Sequence, residues 1–200
     1  MKTNRLEAFS DGVLAIIITI MVLELKIPEG ETIDALMPLL PTFITYILSF
    51  IYLGIYWNNH HHLLHAFENV NGKVLWANLH LLFWLSLFPF ATGYMGENHF
   101  EILPTAFYGC VLLMAGIAWN ILTYTLAKSN SSKKILRKKE KLKEIISTIL
   151  YAVAIITSAF QPLVSAFIYV MVAILWFVPY KTLEVPKDDF IDFSNYSPKE

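Results

Sequence analysis

At 200 residues, 56% hydrophobic and only 16% charged, with a mean hydropathy of +0.53, the chain departs from a water-facing domain, which is typically ~45–50% apolar and ~25% charged. That composition excludes disorder, a collagen-like repeat and a disulfide scaffold, since the single cysteine, Cys110, lies in an apolar run. A net charge of −1 argues against nucleic-acid binding, and the class these numbers define is an all-α integral membrane protein.

Crossing roughly 30 Å of hydrocarbon takes about 20 mostly apolar residues, and such windows occur six times. The expected spans are about Ala8–Ile27, Leu39–Leu64, Val74–Tyr94, Leu103–Ala127, Ile145–Phe160 and Leu163–Tyr180. They form one transmembrane domain over residues 1–182, followed by a polar cytoplasmic tail at 183–200 that reads as disordered. Short connections between six spans leave no room for a soluble catalytic domain.

The first span is the unusual one. Lys2 and Arg5 precede an apolar run as in a signal peptide, but Glu7 and Asp11 interrupt its start and no small-x-small cleavage site follows. Asp11 lies about one turn inside the apolar run, where a carboxylate is costly and needs a partner. Beyond it, Gly12, Ile16, Ile20, Leu23 and Ile27 recur at spacings of three and four, which is one helical face. Thr19 borders that stripe and is the only polar side chain between Asp11 and Glu24. Such a stripe is either a packing face for neighbouring helices or the lining of a pore whose apolar constriction excludes water. Periodicity leaves both open.

The second span ends in His60-His61-His62 with His65. His61 and His65, or His62 and His65, share a helical face and could chelate a metal. The remaining histidines, His80 and His99, are isolated, and no carboxylate ligand set is evident nearby. The expectation is therefore no metal, no cofactor and no enzymatic activity. Thr92-Gly93-Tyr94-Met95-Gly96, closing the third span, imitates a potassium-channel filter loop but carries an extra methionine. It reads as a helix-to-loop exit with an interfacial tyrosine.

The stretch from Ser131 to Lys143 holds seven cationic side chains. It reads as a topology determinant touching anionic lipid head groups, with a regulatory site for an anionic ligand as the alternative. Gln161-Pro162 separates the last two spans and predicts a tight hairpin. With the N-terminus inside, fourteen of the fifteen lysines and arginines fall on the inner side, and Lys26 alone is outside. Both termini are therefore expected in the cytoplasm.

Arg5-x-x-x-Phe9-Ser10-Asp11 at the head of six spans resembles the signature of the lysosomal potassium channel family, transmembrane protein 175, in its bacterial single-repeat form. The likeness continues in Trp57-x-Asn59-His60-His61, Leu75-Trp76-x-Asn78-Leu79 and Pro89-Phe90. The resemblance implies a potassium-selective channel, modestly selective over sodium, that lacks a carbonyl filter. It further implies a homotetramer in the inner cell membrane, with the first helix lining the central pore. Carried over by distance from the Phe-Ser-Asp string, Ile16 would form the narrowest layer, followed outward by Ile20 and Leu23, with Thr19 hydroxyls beside it. Arg5, Phe9, Ser10 and Asp11 would be a packing network completed by His60 and Asn78. The alternative to a channel is a cation- or proton-coupled transporter using Asp11 and His60.

Overall fold

A computed structural model describes residues 3–67, 70–130 and 138–177. Regular structure there is entirely helical: α1 (Thr3–Leu23), the single turn α2 (Ile33–Leu36) with a 3-10 turn at Met37–Leu39, α3 (Leu40–His65), α4 (Gly72–Ser86), α5 (Phe88–Glu97), α6 (Ile102–Ser129), α7 (Lys138–Ser158) and α8 (Pro162–Trp176). These make six rods, because α2 runs through the 3-10 turn into α3 and α4 runs into α5. By length and hydropathy the stretches Thr3–Leu23, Ile33–His65, Gly72–Glu97 and Ile102–Ser129 can each cross a membrane. The fifth rod starts in basic residues, and the sixth is a shorter apolar helix of 15 residues. Residues 131–137 of the basic stretch, the end of the expected sixth span and the 183–200 tail lie outside the described residues.

Two boundaries differ from expectation for identifiable reasons. The first helix begins at Thr3 and stops at Leu23, so Ile27 of the stripe lies beyond it and is 89% exposed. Arg5 and Glu7 are good helix formers though poor membrane residues. At the other end, the residue before Pro28 is pushed away from helical backbone. The third rod breaks at Leu87 because Pro89, in the first turn of α5, has no N–H to continue the ladder. The chain tightens there through Leu87 N–H to Trp84 O and resumes with Ala91 N–H to Leu87 O. The filter-like residues 92–96 are inside helix α5.

Helix α1 rests on α3, α4 and α5, while α6 joins α4 to α7, and α8 closes against α7, α3 and α6. Aromatic rings fill the middle: Tyr52, Tyr108, Tyr169 and Phe88 are fully buried. The tyrosine hydroxyls are used internally. Tyr52 donates to the Tyr169 carbonyl at 2.6 Å, Tyr151 donates to the Tyr52 hydroxyl at 3.3 Å, and Tyr169 donates to the Thr105 carbonyl at 3.1 Å. A methyl group at Gly96 would run into the backbone of Thr42, and one at Gly109 into the Tyr169 hydroxyl. These two glycines let α5 approach α3 and α6 approach α8.

Candidate functional site

The two faces of α1 divide sharply. Leu6, Ser10, Leu14, Ile17 and Met21, spaced by three and four, are buried against the rest of the chain. The opposite arc carries Gly12, Ile16, Thr19, Ile20 and Leu23, all exposed. Ile16 is 59% exposed and Leu23 80%, so the bulky aliphatic residues of this arc find no cover among the described residues. Thr19 donates its hydroxyl proton to the Ile16 carbonyl at 2.9 Å. Its oxygen lone pairs remain to face whatever lies beyond the helix.

Behind this arc a polar chain fastens α1. Ser10 Oγ donates to the Leu6 carbonyl at 2.9 Å and accepts from Asn78 Nδ2 at 2.9 Å. The Asn78 amide oxygen then faces His60 Nε2 at 2.8 Å. Since that oxygen can only accept, His60 Nε2 carries the proton. All three side chains are buried, and His60 Nδ1 has no hydrogen-bond partner among the described residues. One helix each from the first three rods is joined by a single run of hydrogen bonds.

The other signature residues lie apart from that chain. Asp11 accepts from the indole N–H of Trp57 at 3.0 Å, so its partner is α3 but neither His60 nor Asn78. Phe9 is 51% exposed, and Arg5 is exposed and makes no ion pair among the described residues. Of the expected packing network, Ser10, Asn78 and His60 come together, Asp11 is tied next door, and Arg5 and Phe9 point away from the chain's own core. Both belong to the exposed side of α1.

One carboxylate upsets the sequence reading of the histidines. Glu7 Oε1 lies 2.6 Å from His61 Nδ1 and 3.5 Å from His65 Nε2. A carboxylate is therefore beside the histidine pair, contributed from 54 positions earlier in the chain. Spacing along α3 could not reveal it. At the opposite end of α1, Lys26 pairs with Glu97 at 3.0 Å on an exposed surface otherwise rich in acidic residues, including Glu29, Glu31 and Asp34.

The architecture matches a solved structure, that of a lysosomal potassium-selective channel TMEM175 homolog from Chamaesiphon minutus. The TM-score is 0.76 at 26% identity, over 87% of this chain and 95% of that one. The family model for the endosomal/lysosomal potassium channel TMEM175 matches residues 5–89, which run from the signature in α1 to the first turn of α5. A Chryseobacterium protein named as a potassium channel is 53% identical over 186 residues, 92% of this chain and 97% of its own. The chain belongs to the TMEM175 family. Its family is one of ion channels and not of enzymes. The zebrafish relative, named an endosomal/lysosomal proton channel TMEM175, is 26% identical over 90% of this chain, which spans 37% of that longer protein. The all-helical membrane architecture and the family resemblance drawn from the signature strings both agree with these matches.

Proposed function

We propose that the protein is a potassium channel in which four copies surround an axis and the exposed arc of α1 lines the pathway. The observation that carries this reading is the division of α1 itself. One face is fastened into the chain by Ser10 and aliphatic packing, while Ile16, Thr19, Ile20 and Leu23 are left without cover. Rings of Ile16, Ile20 and Leu23 offer no ion ligands, so an ion must shed water to pass them. Potassium holds its hydration shell less tightly than sodium, and a narrow apolar neck favours it modestly. Thr19 supplies the polar oxygen in this stretch, its own proton being committed to the helix. Acidic residues beyond the end of α1 raise the local cation concentration at that mouth. The segregation of the basic residues supports an orientation with both chain ends in the cytoplasm.

A coupled transporter built on Asp11 and His60 would need a proton route between them. The two carry separate hydrogen bonds, one to Trp57 and the other to Asn78. The channel reading is tested by cation flux into liposomes holding the purified protein. Potassium gradients should drive more flux than sodium gradients, and Ile16→Asn, which wets the neck, should raise the flux several-fold. Unchanged conductance and selectivity in that variant would remove Ile16 from the pathway. Uptake that occurs only against a proton gradient would favour the transporter.

A further inference from the structure

The cluster at the start of α1 has a chemistry that potassium permeation does not use. We propose that Glu7, His61 and His65 form a site for a divalent transition-metal ion of the zinc, cobalt or nickel kind, joining α1 to the last turn of α3. Two ring nitrogens and a carboxylate oxygen are borderline donors that suit these ions, whereas potassium, magnesium and calcium prefer all-oxygen shells. His61 and His65 are four residues apart, so their rings share one face of α3 and meet edge to face, with centroids 4.3 Å apart. Glu7 enters from the other helix. The three donor atoms all lie within 4.8 Å of one another.

Tetrahedral zinc with bonds of about 2.0–2.2 Å places its donors roughly 3.3–3.5 Å apart. Glu7 Oε1 and His65 Nε2 already stand at 3.5 Å. Glu7 Oε1 and His61 Nδ1, at 2.6 Å, share a hydrogen bond that the ion replaces. Opening that contact by less than about 1 Å, drawing the three donors to a common spacing and moving the shared proton off His61 Nδ1, to Nε2 where the ring is neutral, admits the metal. The side chains also grade from inside to outside: Glu7 is 14% exposed, His61 43% and His65 56%. The more buried carboxylate anchors the site, and the exposed histidine leaves an entry route and room for water as a fourth ligand. His62, whose ring lies 5.5 Å from that of His61, is not among the converging donors.

The site stands on its own geometry and is independent of which ion the channel conducts. Its test is a titration of the full-length protein in detergent with Co²⁺ alone, in chelator-free buffer, read by visible absorption. One Co²⁺ per chain should bind with the intense bands of a four-coordinate ion, and Zn²⁺ should bleach them. Even outer partners of metal ligands change affinity by about 10–100-fold, so Glu7→Gln and His65→Gln should each weaken binding at least tenfold. His62→Gln should leave it unchanged. Because His65 is exposed, its variant keeps the fold, which matching helical circular dichroism would verify; that variant decides the question if Glu7→Gln misfolds. No Co²⁺ bands in the wild type, or equal affinity in the His65→Gln variant, would overturn the site and leave the Glu7–His61 contact as a simple tie between helices. Equal loss in His62→Gln would overturn the ligand assignment.

Discussion

Ser10, Asn78 and His60 join α1, α4 and α3 through one side-chain amide, whereas Tyr52, Tyr151 and Tyr169 join α3 to α7 and α8 through phenol hydroxyls. In the first cluster both ends of the Asn78 amide are committed, so a single side chain satisfies two neighbours. Its removal strands the His60 Nε2–H in the interior. In the second cluster the rings themselves pack, with Tyr108 and Tyr169 centroids at 5.6 Å and Tyr151 and Tyr169 at 6.5 Å. A hydroxyl lost there leaves the rings in place. The contrast separates a tether, which fixes α1 by chemistry, from a frame, which fixes α3, α6, α7 and α8 by shape.

That separation can be broken in three places. The largest effect is expected from Gly109→Ala, whose new methyl collides with the Tyr169 hydroxyl and the Ile155 side chain at once. Overpacking of this kind costs about 3 kcal/mol, visible as a drop in thermal stability of the purified protein. Asn78→Leu comes next, at about 2 kcal/mol, because a buried donor is left unpaired. Its loss should show first as hydrogen-exchange deprotection of α1, with the α6–α8 frame unchanged. The smallest is Tyr52→Phe, at about 1.2 kcal/mol, because the lost hydroxyl both donates to the Tyr169 carbonyl and accepts from Tyr151, and a side-chain hydrogen bond inside a membrane protein averages about 0.6 kcal/mol. Destabilisation by Tyr52→Phe equal to that of Asn78→Leu would erase the distinction between tether and frame.

Much of the frame is legible from apolar run length alone, since windows near 20 residues mark rods whatever packs against them. The stripe on α1 is legible too, because residues three and four apart must share a face. What periodicity cannot supply is the occupant of the other side. The Glu7–His61 contact spans 54 positions and the Trp57–Asp11 bond 46, and both depend on how α1 lies across α3. The Ser10–Asn78–His60 chain is foreshadowed by the family strings rather than by any local rule. The true start of α1 escapes a hydropathy window, which stops at charged residues, while a helix tolerates Arg5 and Glu7 readily. The tyrosine frame leaves no pattern at all, since its hydroxyls answer to partners 64 to 117 positions away.

The turn between α7 and α8 bears on how the protein reaches its place in a bilayer. Residues 159–161 contain no charge, and Ser165 Oγ donates across the turn to the Ala154 carbonyl at 2.7 Å. The two helices are thus fastened to each other at their tip before either needs α6. Helix α7 alone is a poor passenger, carrying lysines at one end and an average hydropathy below that of its neighbours. Paired with α8 it can be threaded into lipid as a ready-made hairpin, tip first, with only an uncharged turn to translocate and the lysines left behind as a brake. Insertion of α7 and α8 as one unit would require the ribosome to release both helices before that event could finish.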